Sequence, residues 1–312
     1  MRSKSVIDAV SASTFGAKMP RADWQFIGGM KYPFPPFVEQ RAIVRYLDHV
    51  DRRIQRYIEA KEKLIALLQE ARQSIIQRSV TRGIDPDVPF KPSGVEGLGD
   101  VPAHWEVRRA KYLYHEVNER SSTGAEELMS VSHKTGVTPR KKNVTMFRAE
   151  TNVGYKLCRP GDIVVNTMWA YMAALGVARQ VGLVSPSYNV YRPIAGEEMN
   201  LDYIDPLLRT ETYRTEYLVR STGITVSRLR LYPESFLDIP LLYPPVEEQA
   251  AIAAYLEKAT ADIDAAIDNA RRQVEFMTEY RTSLIAHVVT GKLDVRAAAE
   301  QLPQEARELT AS

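Results

Sequence analysis

Two stretches of this chain carry the same spacing of apolar and polar positions. In the first, apolar residues recur at Ile43, Leu47, Val50, Ile54, Tyr57, Leu64, Leu68, Ala71 and Ile75. The steps alternate between four and three, with one break at Lys61, and such a series predicts a long helix with a coiled-coil seam. In the second, Ile252, Leu256, Ala259, Ile263, Ala266, Ala270, Gln273, Met277, Tyr280 and Leu284 occupy the matching positions. Both stretches open on paired prolines followed by acids, FPPFVEQ at Phe34 and YPPVEEQ at Tyr243. Proline suits the entry and first turn of a helix, and carboxylates suit the positive end of its dipole. The register holds without a gap from Gln40/Gln249 through Arg72/Arg281 to Asp85/Asp294. Copies this far apart exclude a solenoid, whose period is roughly 20–50 residues. The reading is two antiparallel helices, over 34–84 and 244–294, each on the order of 65 Å long at about 1.5 Å per residue and acting as a spacer. The second seam is small in its middle where the first is bulky, which lets the two pack closely.

Between the helices the pattern changes. DPDVPFKPSGVEGLGDVPAHW, from Asp85 to Trp105, is too rich in Pro and Gly for a helix and marks a linker over 85–103. Short β-like runs follow, ELMSVS, YKLCRPGDIVVNT and GLVSPSYNVYRP. A helix is predicted from Asp202 to about Arg220, with Tyr203, Leu207, Leu208 and Tyr217 on its apolar side. RLRLYP and LDIPLLYPP then read as strands leading into the second long helix. The expected fold is α+β: one globular mixed α/β domain over 104–243, its sheet curved rather than doubly wound, flanked by the two coiled-coil helices. Residues 295–312 read as a polar tail.

Composition narrows the classes. The 312 residues give room for more than one folding unit. The single Cys158 excludes an internal disulfide and favours a reducing compartment. The N-terminus shows no secretory apolar segment, and the most apolar run, 163–178, is short for a membrane span and carries Asn166 and Thr167. Net charge is only +2, but between Leu128 and Arg192 nine Lys/Arg stand against two acids. The five histidines show no metal-ligand spacing with one another or with Cys158, so no metal is assigned. No phosphate-cradling glycine loop is present. SPSY at Ser185–Tyr188 only faintly approaches the [DNS]PP[YF] tetrapeptide of adenine methyltransferases. The chain is therefore read as non-catalytic, with no catalytic residue assigned.

Together, SGVEGLGDVPAHWEVRRAKYL, GLVSPSYNVYRP and IPLLYPPVEEQ leading into a heptad helix resemble the specificity subunits of type I restriction-modification systems. The resemblance covers nearly the whole chain. It implies that the globular domain is a target recognition domain reading one half of a bipartite site in double-stranded DNA. It implies that the helices set the spacing of the halves and dock methylation subunits. S-adenosylmethionine would belong to those subunits, and ATP and Mg to a separate restriction/motor subunit, leaving no cofactor for this chain. The setting implied is cytoplasmic. Family members carry two recognition domains, whereas here residues 1–33 read as the tail of a first one: Ser13 and Thr14 parallel Ser221 and Thr222. Either the gene is truncated, or a half-sized subunit forms a homodimer that supplies both domains. Helices of this kind by themselves fit a coiled-coil scaffold equally well.

Candidate contact residues follow from this implication. Arg140, Lys141 and Lys142 suit phosphate contacts, with Lys134 in the same basic run, while Thr138 and Asn143 suit base edges. A plain solvated loop fits that run as well. Trp169 and Tyr171 either stack on bases or belong to the core. Arg228 and Arg230, alternating with Leu229 and Leu231, share one face of a predicted strand, facing either solvent or DNA.

Overall fold

In a computed structural model the chain is described over residues 4–16, 21–31, 34–95, 97–140, 151–197, 199–225 and 228–303. It divides into two compact units, one of residues 1–68 with 265–312 and the other of residues 69–264. The division falls inside both long helices, α3 (Phe37–Arg82) and α7 (Val246–Val289).

In the first unit the helices pair antiparallel: Arg281 grips the Asp51 carboxylate, and the Tyr57 hydroxyl meets Gln273 Oε1 at 2.9 Å. Ile54, Ile58, Ile267 and Ala270 are buried there. The seam departs from the expected phase. Ile58 and Ile65 turn inward, whereas Tyr57 and Leu64 are exposed, and Lys61 is half-buried rather than marking a break. The same one-residue displacement occurs in α7, where Ile267 takes the place expected of Ala266 and Tyr280 is exposed. An unbroken heptad through Leu47, Ile54, Ile58, Lys61, Ile65 and Leu68 satisfies the geometry better than the most apolar choice at each step. Residues 295–303 are not a plain polar tail. Helix α8 (Arg296–Glu300) follows Val295, and Val295 and Ala299 are buried. Arg45 Nη2 donates to the Leu302 carbonyl at 2.6 Å. Near the N-terminus, α1 (Lys4–Ala12), an isolated Phe15–Arg21 bridge and α2 (Trp24–Gly29) follow in order, and α2 has no buried residue.

The second unit holds the mixed domain. An antiparallel four-stranded sheet runs β4 (Tyr114–Val117), β11 (Asn189–Pro193), β8 (Ile163–Val165), β9 (Leu175–Val177). Val190 lies opposite both Val117 and Val164. Both faces are covered, which is why the run at 163–165 is uniformly apolar rather than alternating. Val164 and Val190 face a smaller core containing residues of β5 (Met129–Ser132), β6 (Gly136–Pro139), β7 (Lys156–Cys158) and β10 (Gly182–Val184). Ile163, Val165 and Tyr191 face the main core.

That core includes α4 (Leu201–Leu208), α5 (Glu211–Arg220), α6 (Pro233–Leu237) and Ile76, Val80, Ile252 and Leu256 of the long helices. The single helix expected over 202–220 is two, interrupted at Arg209–Thr210. The buried Thr210 hydroxyl donates to the Leu207 carbonyl and accepts from Tyr213 N, ending one helix and capping the next. The linker forms a small hairpin, β1 (Phe90–Pro92) with β2 (Asp100–Pro102). β12 (Pro240–Tyr243) pairs with β3 (Glu106–Arg109) before α7 begins.

The domain is fastened to the helices by polar contacts. The Tyr203 hydroxyl lies 3.2 Å from the Val80 carbonyl and 3.3 Å from the Leu242 carbonyl. Gln249, fully buried, donates through Nε2 to the Pro244 carbonyl and accepts through Oε1 from Asn200 N, both at 2.9 Å. His104 Nε2 sits 2.6 Å from Glu248. Gly83 ends α3 at φ 77°, where a Cβ would lie 3.2 Å from Glu248 Oε1 and strain the backbone.

Candidate nucleic-acid interface

The hairpin loop between β8 and β9 organises the candidate residues. Val165 ends the strand and Asn166 turns away from it, donating through Nδ2 to the Tyr188 hydroxyl at 3.1 Å. Thr167 Oγ1 donates to the Ser187 carbonyl at 3.1 Å, tying the loop to the turn before β11. The Leu231 amide donates to the Thr167 carbonyl at 3.3 Å, bringing the segment after Arg230 alongside. A short 3-10 turn, Ala170–Met172, then packs on α5 and closes with Ala173 at φ 59°. Left-handed geometry at a non-glycine residue is uncommon and holds a particular loop shape at an energetic cost.

This arrangement leaves Met168 and Trp169 exposed and Tyr171 half-buried. Trp169 is thus available for stacking, although an aromatic beside an apolar strand more often joins the core. Arg140, at the open end of the β5–β6 hairpin, acts electrostatically on Tyr188: burial raises that phenol, and the Arg140 charge opposes the rise. The structure therefore draws Arg140, Asn166, Trp169, Tyr188 and the Arg230 segment into one neighbourhood.

Other expected residues are placed differently. Lys134 is exposed at the closed turn of the hairpin, where its carbonyl accepts from Arg209 Nη2 at 2.6 Å. Thr138 is half-buried on β6, paired with Ser130. Lys141, Lys142 and Asn143 lie outside the described residues. Arg228 and Arg230 do not share a strand face. Arg228 N closes a turn onto the Thr225 carbonyl, and Arg230 makes one isolated bridge with Thr222. Alternation cannot orient side chains where no ladder forms.

Among the described basic residues of 128–192, three arginines pair with carboxylates of the same domain and one lysine is buried. Arg192 binds the buried Asp162 at 2.9 Å and also Glu119, which Arg159 pairs with as well. These two arginines hold the Glu119 carboxyl below its ordinary range, Arg159 contributing most. Arg179 pairs with Asp202 at 2.6 Å. Lys156 is buried, and that burial lowers its pKa. Sequence reading passed over Asn166 and Tyr188. Asn166 Oδ1 is buried with no hydrogen-bond partner among the described residues, and its signal was a carboxamide ending an otherwise apolar strand. Among the described residues no cluster of His, Cys, Asp or Glu has the grouping of a metal site, and no helix is long and apolar enough to cross a membrane.

In the second unit a mixed α/β domain packs on segments of both repeat-related helices. No family model matches the chain. It is 24% identical over 302 residues to the type I restriction enzyme MjaVIII specificity subunit of Methanocaldococcus jannaschii, covering 92% of this chain and 68% of that protein. A putative type I restriction enzyme MjaX specificity subunit of the same organism is 24% identical over 283 residues, covering 86% of this chain and 60% of that protein. The fold is shared with a chain from a structure concerned with complex assembly and conformational transition of the type I R-M system. That match has a TM-score of 0.63 at 17% identity and covers 94% of this chain and 70% of the other. The chain is thus similar to type I restriction enzyme specificity subunits and spans about two thirds of the length of the curated relatives it matches.

Proposed function

We propose that the chain is a non-catalytic DNA-specificity component of a type I restriction-modification assembly. The observation that carries this reading is the match to specificity subunits over 92% of the chain, through both helices and the domain between them. The central domain reads one half of a bipartite site in double-stranded DNA. Arg140 contacts phosphate, Trp169 on its strained loop stacks or wedges, and the carboxamide of Asn166 is positioned beside them. The long helices dock the methylation subunits, which supply S-adenosylmethionine, and a restriction/motor subunit uses ATP and Mg. The setting is the cytoplasm. Residues 1–33 are the tail of a further domain of the same kind. The order α1, bridge, α2 supports this, since α5, a Thr222–Arg230 bridge and α6 follow one another in the same way.

Two measurements test the reading. DNA titrated into the full chain should bind with an affinity that falls steeply with salt. Methylome sequencing of a host carrying the gene with its methylation partner should yield a bipartite motif. Salt-independent or absent DNA binding, with no motif, would return the chain to a coiled-coil scaffold.

A further inference from the structure

One hydroxyl beside the β8–β9 loop is left with a proton to give. Asn166, 5% exposed, is fixed by its backbone: its amide donates to the Ala174 carbonyl and its carbonyl accepts from the Trp169 amide, both at 3.0 Å. Its side chain reaches the turn before β11, where Nδ2 donates to the Tyr188 hydroxyl at 3.1 Å. Tyr188 is half-buried, with its ring packed against the smaller core that Val164 and Val190 face. The Tyr188 amide donates to the Ser185 carbonyl at 3.0 Å, and the preceding carbonyl, of Ser187, takes the Thr167 hydroxyl. Ring and backbone are both held, so the hydroxyl has a set position.

A phenol hydroxyl donates one hydrogen bond and accepts another. Asn166 occupies the accepting side, and among the described residues nothing takes the hydroxyl's own proton. The opposite orientation of the carboxamide would turn Tyr188 into a donor to Asn166. It would also bury an unpaired amino group in place of Oδ1, the atom that now has no partner. Buried N–H groups without a partner are rarer than under-satisfied carbonyls, so the present orientation is the favoured one. Asn166 thereby holds Tyr188 as a donor toward whatever binds there.

The neighbours divide the remaining work. Arg140, whose charge acts on the phenol, suits phosphate, and the exposed Trp169 suits stacking. A neutral donor with a fixed direction suits neither task and fits a base edge. We propose that Tyr188 is a specificity-determining residue whose hydroxyl donates to an acceptor on a base edge in the major groove, with Asn166 as its positioning residue. The proposal rests on the reading of the central domain as the DNA-binding part. Guanine, adenine and thymine each present an acceptor in that groove, whereas cytosine presents an amino donor. A hydroxyl free to reverse its role would take either; one held as a donor rejects cytosine.

The test incubates the full chain with a library of randomised DNA duplexes and sequences the bound fraction. The wild type should enrich a motif with one position that excludes cytosine on the contacted strand. Tyr188→Phe keeps the ring in the core and should lose that exclusion alone. Its affinity for the enriched duplex should fall about 3- to 10-fold, as for one hydrogen bond. The salt dependence should not change, because no charge is removed. Asn166→Asp replaces the amide donor with an acceptor, so Tyr188 should turn its proton inward and cytosine should become favoured at that position. Cys158, in the same core, should resist alkylation equally in all three chains. Where Asn166→Asp loosens that core, Tyr188→Phe decides alone. A Tyr188→Phe motif unchanged at every position overturns the proposal, as does a loss spread evenly over all sequences. A wild type that enriches no motif overturns it through the DNA reading itself, which separates the two failures.

Discussion

Repeat-related residues in unequal surroundings provide a matched comparison. Gln249 is buried between the Pro244 carbonyl and the Asn200 amide, whereas Gln40 makes the first of these contacts at half-exposure. Gln249→Leu should lower the local stability of the second unit by about 2–4 kcal/mol, because two buried groups lose their partner. Gln40→Leu should cost the first unit under ~1 kcal/mol, since water replaces the side chain. Amide exchange in each unit measures both, and equal losses would mean that burial does not set the difference. The sequence shows the two glutamines as equivalents, but which one is covered depends on a domain folding against it. Cys158 gives a second residue-scale expectation. Burial pushes its thiol up to about 11, so the native protein should resist alkylation near neutral pH until the central domain opens. Rapid labelling of the native chain would contradict that placement. Glu119 and Glu197 are held low, the first by Arg159 and Arg192 and the second by Arg108. Their contribution to stability is present above the unfolded glutamate value of about 4.3 and is lost as pH falls through their lower folded values. Thermal melts should therefore show the second unit losing stability in that acid range and gaining none.

At the scale of elements, the long helices, the linker and most strands are legible in the sequence, because heptads, paired prolines and glycine-rich turns act locally. The seam's phase is less legible. Tyr57 and Leu64 are good apolar candidates taken singly, yet the partner helix selects Ile58 and Ile65. Ile58→Ala should destabilise the first unit by about 2–4 kcal/mol, whereas Tyr57→Ala should cost about 1 kcal/mol or less. Comparable losses would restore the phase expected from the sequence. The arginines at repeat positions 72 and 281 each reach an acid on the opposite helix, Asp264 at 2.8 Å and Asp51. Exposed pairs of this kind are worth about 0–1 kcal/mol, so they fix register more than they stabilise. The break at Thr210 is hidden because the apolar series through Tyr203, Leu207, Leu208 and Tyr217 runs across it, although the cap itself is local, from the Thr210 hydroxyl to Leu207 and Tyr213.

For the whole molecule, the expected readout is DNA. Arg140→Ala should weaken binding similarly for all sequences and flatten the salt dependence by roughly one unit of slope, as loss of one phosphate contact does. Trp169→Ala should leave the slope alone and weaken binding through lost stacking, because Trp169 is exposed and uncharged. A variant that does the reverse would exchange these roles. If a half-sized subunit pairs with a second copy to supply both domains, two identical domains meet the DNA about one axis, and the methylation motif should be an interrupted palindrome. An asymmetric motif would separate DNA reading from self-association. The candidate contact residues were only partly visible in the sequence, since the convergence of Arg140, Trp169 and Tyr188 comes from hairpins folding onto one sheet. A count of basic residues does not show which of them pair within the domain, as Arg159, Arg179 and Arg192 do.

The hydroxyl of Tyr203 also bears on how such a chain folds at all. Arg72 and Asp264 are 192 residues apart in sequence, and closing a disordered loop of that size before helix pairing is entropically slow. Tyr203 touches the last turn of one helix and the strand that launches the other. Once the central domain has formed, the intervening chain is no longer a long random loop but a rigid clip a few residues wide. Helix pairing then becomes zippering from a closed end, so Tyr203→Phe should slow the late folding phase more than it accelerates unfolding.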